Sequence, residues 1–194
     1  MEIKEKIISA TIEIIQEGYD ISDITIRKIA KRADIGVGLI NYHFQSKENL
    51  INITTRTFIN SIIAGWKDVL TPPKSDSKVE LLTNMFQASA EFLATYPKIS
   101  RISILNDYTN PNLHDNTMAT LNGVLPILKS FDSVKAIEAG IDVIALIQWK
   151  FLRNDITKEI VGFDFFNTDQ RNNFVKDICI EKFSKFENNN GDTI

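Results

Sequence analysis

The chain has 194 residues, 43% of them hydrophobic and 24% charged, with a formal net charge of −3. That length is enough to bury a real core in one or two domains, and the apolar and aromatic content excludes an intrinsically disordered chain. No apolar run spans a bilayer, the charged start lacks a signal-peptide profile, and one cysteine, Cys179, excludes an internal disulfide framework; the expectation is a cytoplasmic protein with no membrane partner.

Hydrophobic spacing predicts an all-α fold of about nine helices. Residues 2–17 place Ile3, Ile7, Ile8, Ala10, Ile14 and Ile15 three and four apart, with Gly18 where a C-terminal cap is wanted and a polar turn from Asp20 to Asp23. Thr25 is the expected N-cap of a short helix over 26–33, which Asp34 breaks before a third helix over 37–44. Ser46 caps a fourth helix to about Leu70, with Phe58, Ile62 and Trp66 on one face, and Pro72-Pro73 ends it. Ser77 and Glu80 form a capping-box pattern that opens a fifth helix to about Thr95. A sixth covers 98–108. The turn Asn110-Pro111-Asn112 leads to a seventh over 114–130, expected to kink or break near Gly123 and Pro126. An eighth runs from Asp132-Ser133 to about Arg153; after a loop containing Gly162, a ninth runs from Thr168 or Asp169 to about Glu187, followed by a frayed tail from Asn188. Val161 to Phe166 is the only strand-like stretch.

The informative segment is Thr25 to Lys47. Ile29 and Ala33 face inward from one helix, Ala30 is small where two helices cross, Asp34 makes the turn, Ile35 buries after it, and Ile40 faces inward from the next helix. This is a helix-turn-helix pattern, shared by many helical hairpins. Charge sharpens it. Residues 25–47 carry Arg27, Lys28, Lys31, Arg32 and Lys47 against Asp34 alone, a net of +4, whereas residues 1–24 carry a net of −4 and the remainder −3. A basic block inside an acidic chain is the footprint of a phosphate-binding face. In the second helix Gly36 and Gly38 leave room for close backbone approach. Asn41 can offer a bidentate amide to an adenine edge, and Tyr42 and His43 can donate to phosphate oxygens. Ser46 and Lys47 stand at a helix N-terminus, where free amides favour a phosphate.

Thr25-Ile26-Arg27-Lys28-Ile29-Ala30, Asp34-Ile35, Gly38-Leu39-Ile40-Asn41-Tyr42-His43-Phe44 and Ser46-Lys47-Glu48-Asn49-Leu50 resemble the TetR/AcrR family of transcriptional regulators over roughly residues 5–55. The stretch Tyr42 to Leu50 is its most specific part. The resemblance implies a helix-turn-helix DNA-binding domain over residues 1–55 and a larger ligand-binding and dimerisation domain over 56–194. It implies a repressor that binds a palindromic operator as a homodimer and is released by a small effector. By match to the motif, the DNA contacts carry over to Thr25, Arg27, Gly38, Tyr42, His43 and Lys47; with Lys28, Gly36, Val37 and Asn41 they make up the candidate DNA-binding set. Three positions depart from the family: Asp34 stands for the usual turn glycine, Gly36 and Val37 for a serine and a basic or polar residue, and Asn41 for a frequent aromatic.

In the remainder, Trp66, Met85, Phe86, Ser89, Tyr108 and Trp149 are candidates to line a pocket for an apolar or aromatic effector, and each also reads as core. By analogy the last two helices form the dimer interface, with Ile137, Ile141 and Ile144 on one and Phe174 and Ile178 on the other. Cys179 reads as a buried small hydrophobe, with a redox sensor as the alternative. No metal, cofactor or enzymatic activity is expected. His43 and His114 lack metal-ligand spacing, and Gly36-Val37-Gly38 lacks the strand and further glycines of a phosphate loop. The alternative function is a DNA-binding or protein-interaction scaffold without an effector.

Overall fold

A computed structural model describes residues 2–19, 23–65 and 77–187, with the backbone alone for 62–65. The Trp66 and Ile62 side chains, the expected helix end at Leu70, the Pro72-Pro73 stop, the Asp20 end of the polar turn and the tail from Asn188 lie outside the described residues. Ten α-helices and no strand are present among the described residues. They fall into two compact units, Met1–Lys67 with Lys98–Asn110, and Asp68–Pro97 with Pro111–Ile194.

The first unit contains α1 (Ile3–Gln16), α2 (Ile26–Ala33), α3 (Val37–Phe44), α4 (Lys47–Gly65) and nearly all of α6 (Pro97–Thr109). The isoleucine stripe of α1 buries Ile7, Ile14 and Ile15 against α2 and α4, and Ile29, Ile40, Phe44 and Leu50 complete this core. Each terminus is built as the local sequence requires. Thr25 Oγ1 accepts from Lys28 N at 3.1 Å, satisfying an orphan donor of the first turn of α2. Asp34 ends α2 in the left-handed region at φ 52°, ψ 54°, and Ile35 N returns to Ala30 O at 3.0 Å. Ser46 Oγ accepts from Asn49 N at 3.0 Å to open α4. Gly18, at φ +93°, follows α1, and its carbonyl accepts from Lys98 Nζ at 3.2 Å.

The second unit contains α5 (Lys78–Thr95), α7 (Asn116–Lys129), α8 (Val134–Leu152), α9 (Asn154–Val161) and α10 (Thr168–Glu187). Its centre is aromatic: Phe183 of α10 stacks on Phe86 at 6.4 Å and on Phe131 at 6.3 Å. α5 packs along α10, α7 and α8. At the α7–α8 crossing Gly140 leaves room for the buried Leu128, whose Cδ1 would lie 2.5 Å from any Cβ placed there. Ser77 Oγ accepts from Glu80 N at 3.2 Å, as the capping-box pattern predicts. Pro126 lies inside α7, which runs on past it to Lys129, so the helix does not end at the expected break.

The tenth helix is α9, placed in the stretch expected to be a loop. Arg153 leaves helical geometry at φ −108°, ψ 21°, and a new helix starts one residue later and ends at Gly162, φ +70°, whose N–H reaches Lys158 O at 3.1 Å. The strand-like reading of Val161 to Phe166 gives way to this helix end and the connector after it. Both backbone groups of Phe165 in that connector are bonded: its N–H to Asn154 Oδ1 at 2.6 Å and its carbonyl to Arg171 Nη1 at 3.0 Å. Arg171 is buried, is paired to Glu91, and so ties the connector to α5. No helix among the described residues is long and apolar enough to cross a membrane.

Candidate nucleic-acid interface

The helix-turn-helix buries one side of α3 and leaves the other open. Ile40 and Phe44 anchor it inward, while Val37, Gly38, Leu39, Asn41 and Tyr42 are exposed. Tyr42 is 80% exposed, a large ring with almost no cover from its own chain. Its edge meets His43 at 5.1 Å, which holds the two polar-tipped rings together on the last turn of α3. A Cβ added at Gly36 or Gly38 would meet nothing within 4 Å, so neither glycine is required by packing inside the protein. Leu39, not singled out from sequence, shares this exposure and offers apolar contact of the kind that suits a thymine methyl. Its apolar character hid it, since such a residue reads first as core.

The basic block is less uniform than its sequence suggests. Arg32 contacts Glu13 at 3.3 Å and Glu17 at 2.8 Å, bolting α2 to α1. Those hydrogen bonds push its pKa up and hold the Glu17 carboxyl below its ordinary value. Its charge is therefore spent inside the unit. Lys28 places its ammonium over the Tyr19 ring, 3.2 Å from the centroid. Arg27 and Lys31 are exposed on α2, and Lys47 opens α4 beside the Ser46 cap. Thr25 Oγ1 is occupied as an acceptor, and its own hydroxyl proton can still be donated outward.

The other candidates are more scattered. Phe86 is committed to the stacked core of the second unit, and Met85 and Ser89, four residues apart on α5, are half-buried. Trp149 is 51% exposed on α8, and Tyr108 is exposed and belongs to the first unit. Ile144 is buried within its own unit; Ile137, Phe174 and Ile178 are half-buried; Ile141 is 49% exposed. Cys179 is buried, and burial pushes its thiol up to about 12, away from the thiolate form that reacts. His114 lies in the turn before α7, its N–H bonded to Asn112 Oδ1 at 3.0 Å. No group of three metal-ligating side chains is found among the described residues.

Residues 7–52, which run from the second turn of α1 to the first turns of α4, match the family model described as bacterial regulatory proteins, tetR family. Curated relatives include the HTH-type transcriptional regulator BetI of Burkholderia cenocepacia (strain HI2424) and that of Burkholderia orbicola (strain MC0-3). Each is 24% identical over 159 residues, covering 72% of this chain and 78% of the relative. The similarity to the tetR family of bacterial regulatory proteins thus covers the helix-turn-helix within residues 7–52.

Proposed function

We propose that this protein is a DNA-binding transcriptional repressor that acts in the cytoplasm as a homodimer on a palindromic operator and is released by a small apolar or aromatic effector. The observation that carries the DNA reading is the outward face of α3, where an 80% exposed Tyr42 stands beside Asn41 and two glycines that no internal packing demands. Residues 1–55 carry the operator contacts and residues 56–194 the effector and dimer functions. Arg27, Tyr42, His43 and Lys47 bind phosphates and set the register, as phosphate contacts do; Asn41 reads a base edge.

The dimer reading draws on α8 and α10. Ile141, Ala145 and Trp149 follow one another at four-residue spacing on the exposed side of α8, and Ile180 is exposed on α10. An apolar row of this kind is costly to leave in water and suits a two-fold partner surface. Its exposure supports reading Trp149 as part of the subunit contact, as an alternative to the effector pocket. Met85 and Ser89 of α5 remain the proposed effector contacts.

The test is duplex binding across a salt series and a panel of sequences. Tyr42→Ala and Lys47→Ala should weaken binding to all sequences about equally. Asn41→Ala should relax preference at one position, with a cost of about 1–3 kcal/mol. Affinity that does not fall as salt rises would remove the phosphate-contact reading. A thermal-shift screen of small apolar and aromatic compounds, followed by operator release with each hit, tests the effector.

A further inference from the structure

The electrostatic surface of the helix-turn-helix is not the one its sequence displays. Arg32, inside the basic block, is withdrawn by Glu13 and Glu17. Lys4, in the acidic first segment, is brought toward the interface: its Nζ lies 6.0 Å from the centroid of the Phe44 ring, the last residue of α3. From there a row of rings leads along α3, Phe44 to His43 at 6.3 Å and His43 to Tyr42 at 5.1 Å. The ammonium of Lys4 therefore flanks the end of α3 that carries the exposed tyrosine. The acids nearest it in sequence are Glu2 and Glu5. The Glu5 carboxylate accepts from Glu2 N at 3.1 Å, which places its charge against the amide end of α1. No ion pair to Lys4 is present among the described residues.

We infer that Lys4 is a further DNA-positioning residue, an ammonium at the start of α1 that binds a backbone phosphate beside the end of α3. The inference rests on the DNA-binding reading above and extends its footprint to a helix outside the helix-turn-helix. A flexible lysine stem suits this role, because a phosphate needs a point charge within reach rather than a fixed fork. Lys6 supplies an internal control. Two residues further along α1 it points roughly 200° away around the helix axis, carrying the same charge in a different direction.

The experiment measures affinity for a labelled mixed-sequence B-DNA duplex by fluorescence anisotropy over a fourfold range of salt, for the whole chain. Lys4→Gln should lower the slope of log affinity against log salt by about 0.9 per protomer, equal to roughly a 3.5-fold smaller loss of affinity per protomer over that range. Lys4→Arg should keep the slope, and so should Lys6→Gln. Circular dichroism confirms that each variant folds. A wild-type slope in Lys4→Gln overturns the inference. So does an equal loss in Lys6→Gln, which would mean that a diffuse field rather than a contact is being read. If the wild-type protein shows no salt-dependent binding, the DNA-binding reading itself fails, a result distinct from either of these.

Discussion

Gly38→Ala separates what the protein needs for folding from what it needs for binding. Gly38 is the second residue of exposed α3, and a Cβ there meets nothing within 4 Å. Alanine is favoured over glycine by about 1 kcal/mol in a helix interior, and about half of that is expected in a first turn. For a chain of this size, 1 kcal/mol corresponds to roughly 2–4 °C, so the melting temperature should rise by about 1–2 °C. DNA binding should move the other way. If the backbone of α3 closes on the duplex at this point, a methyl group holds the helix off and removes a contact worth about 1–3 kcal/mol, roughly 5- to 150-fold per half-site. Thermal denaturation by circular dichroism and duplex anisotropy on the same preparation read both quantities. Unchanged affinity in a fully folded Gly38→Ala would refute the close-approach argument, and a lower melting temperature would refute the open space around Gly38.

Asp34 holds a left-handed conformation that disfavours most L-residues by about 1–2 kcal/mol and aspartate by less. Asp34→Gly should therefore raise stability by up to about 1 kcal/mol in urea unfolding, and Asp34→Val should lower it. Gly140→Ala should destabilise by about 1–2 kcal/mol, since overpacking against the buried Leu128 outweighs the gain in helix propensity; a rise in the urea midpoint would mean that Leu128 can move. The Glu17 carboxyl is held below its ordinary 4.5 by the Arg32 hydrogen bond. A lowered acid contributes stability that is present above its unfolded pKa and lost as pH falls through the folded one. Stability measured from pH 6 downward should thus fall as pH drops below about 4.5, and Arg32→Ala should flatten that part of the profile; an unchanged profile would show that the pair does not act in solution.

The helix order, the caps at Thr25, Ser46 and Ser77, and the inward Ile29 and Ile40 are legible in the sequence because they depend on neighbours within one or two turns. The motif from Tyr42 to Leu50 is legible for the same reason: its residues share a helix, a turn and the next helix start. Helix α9 is not, because the break at Arg153 is a backbone geometry that no glycine or proline announces, and its connector is held from outside by Asn154 and Arg171. Tertiary structure alone decides how charge is deployed. A sum over residues 25–47 counts Arg32 toward the proposed phosphate-binding face and omits Lys4, whereas the packing of α1 on α2 commits Arg32 to two glutamates and the position of α1 beside the end of α3 sets Lys4 near Phe44. Tertiary structure likewise turns Trp149 and Ile141 outward and Phe86 and Ile144 inward, although all four are equally apolar in the sequence. Periodicity says that a helix has a buried side; which residues near its margin are covered depends on where the neighbouring helices lie.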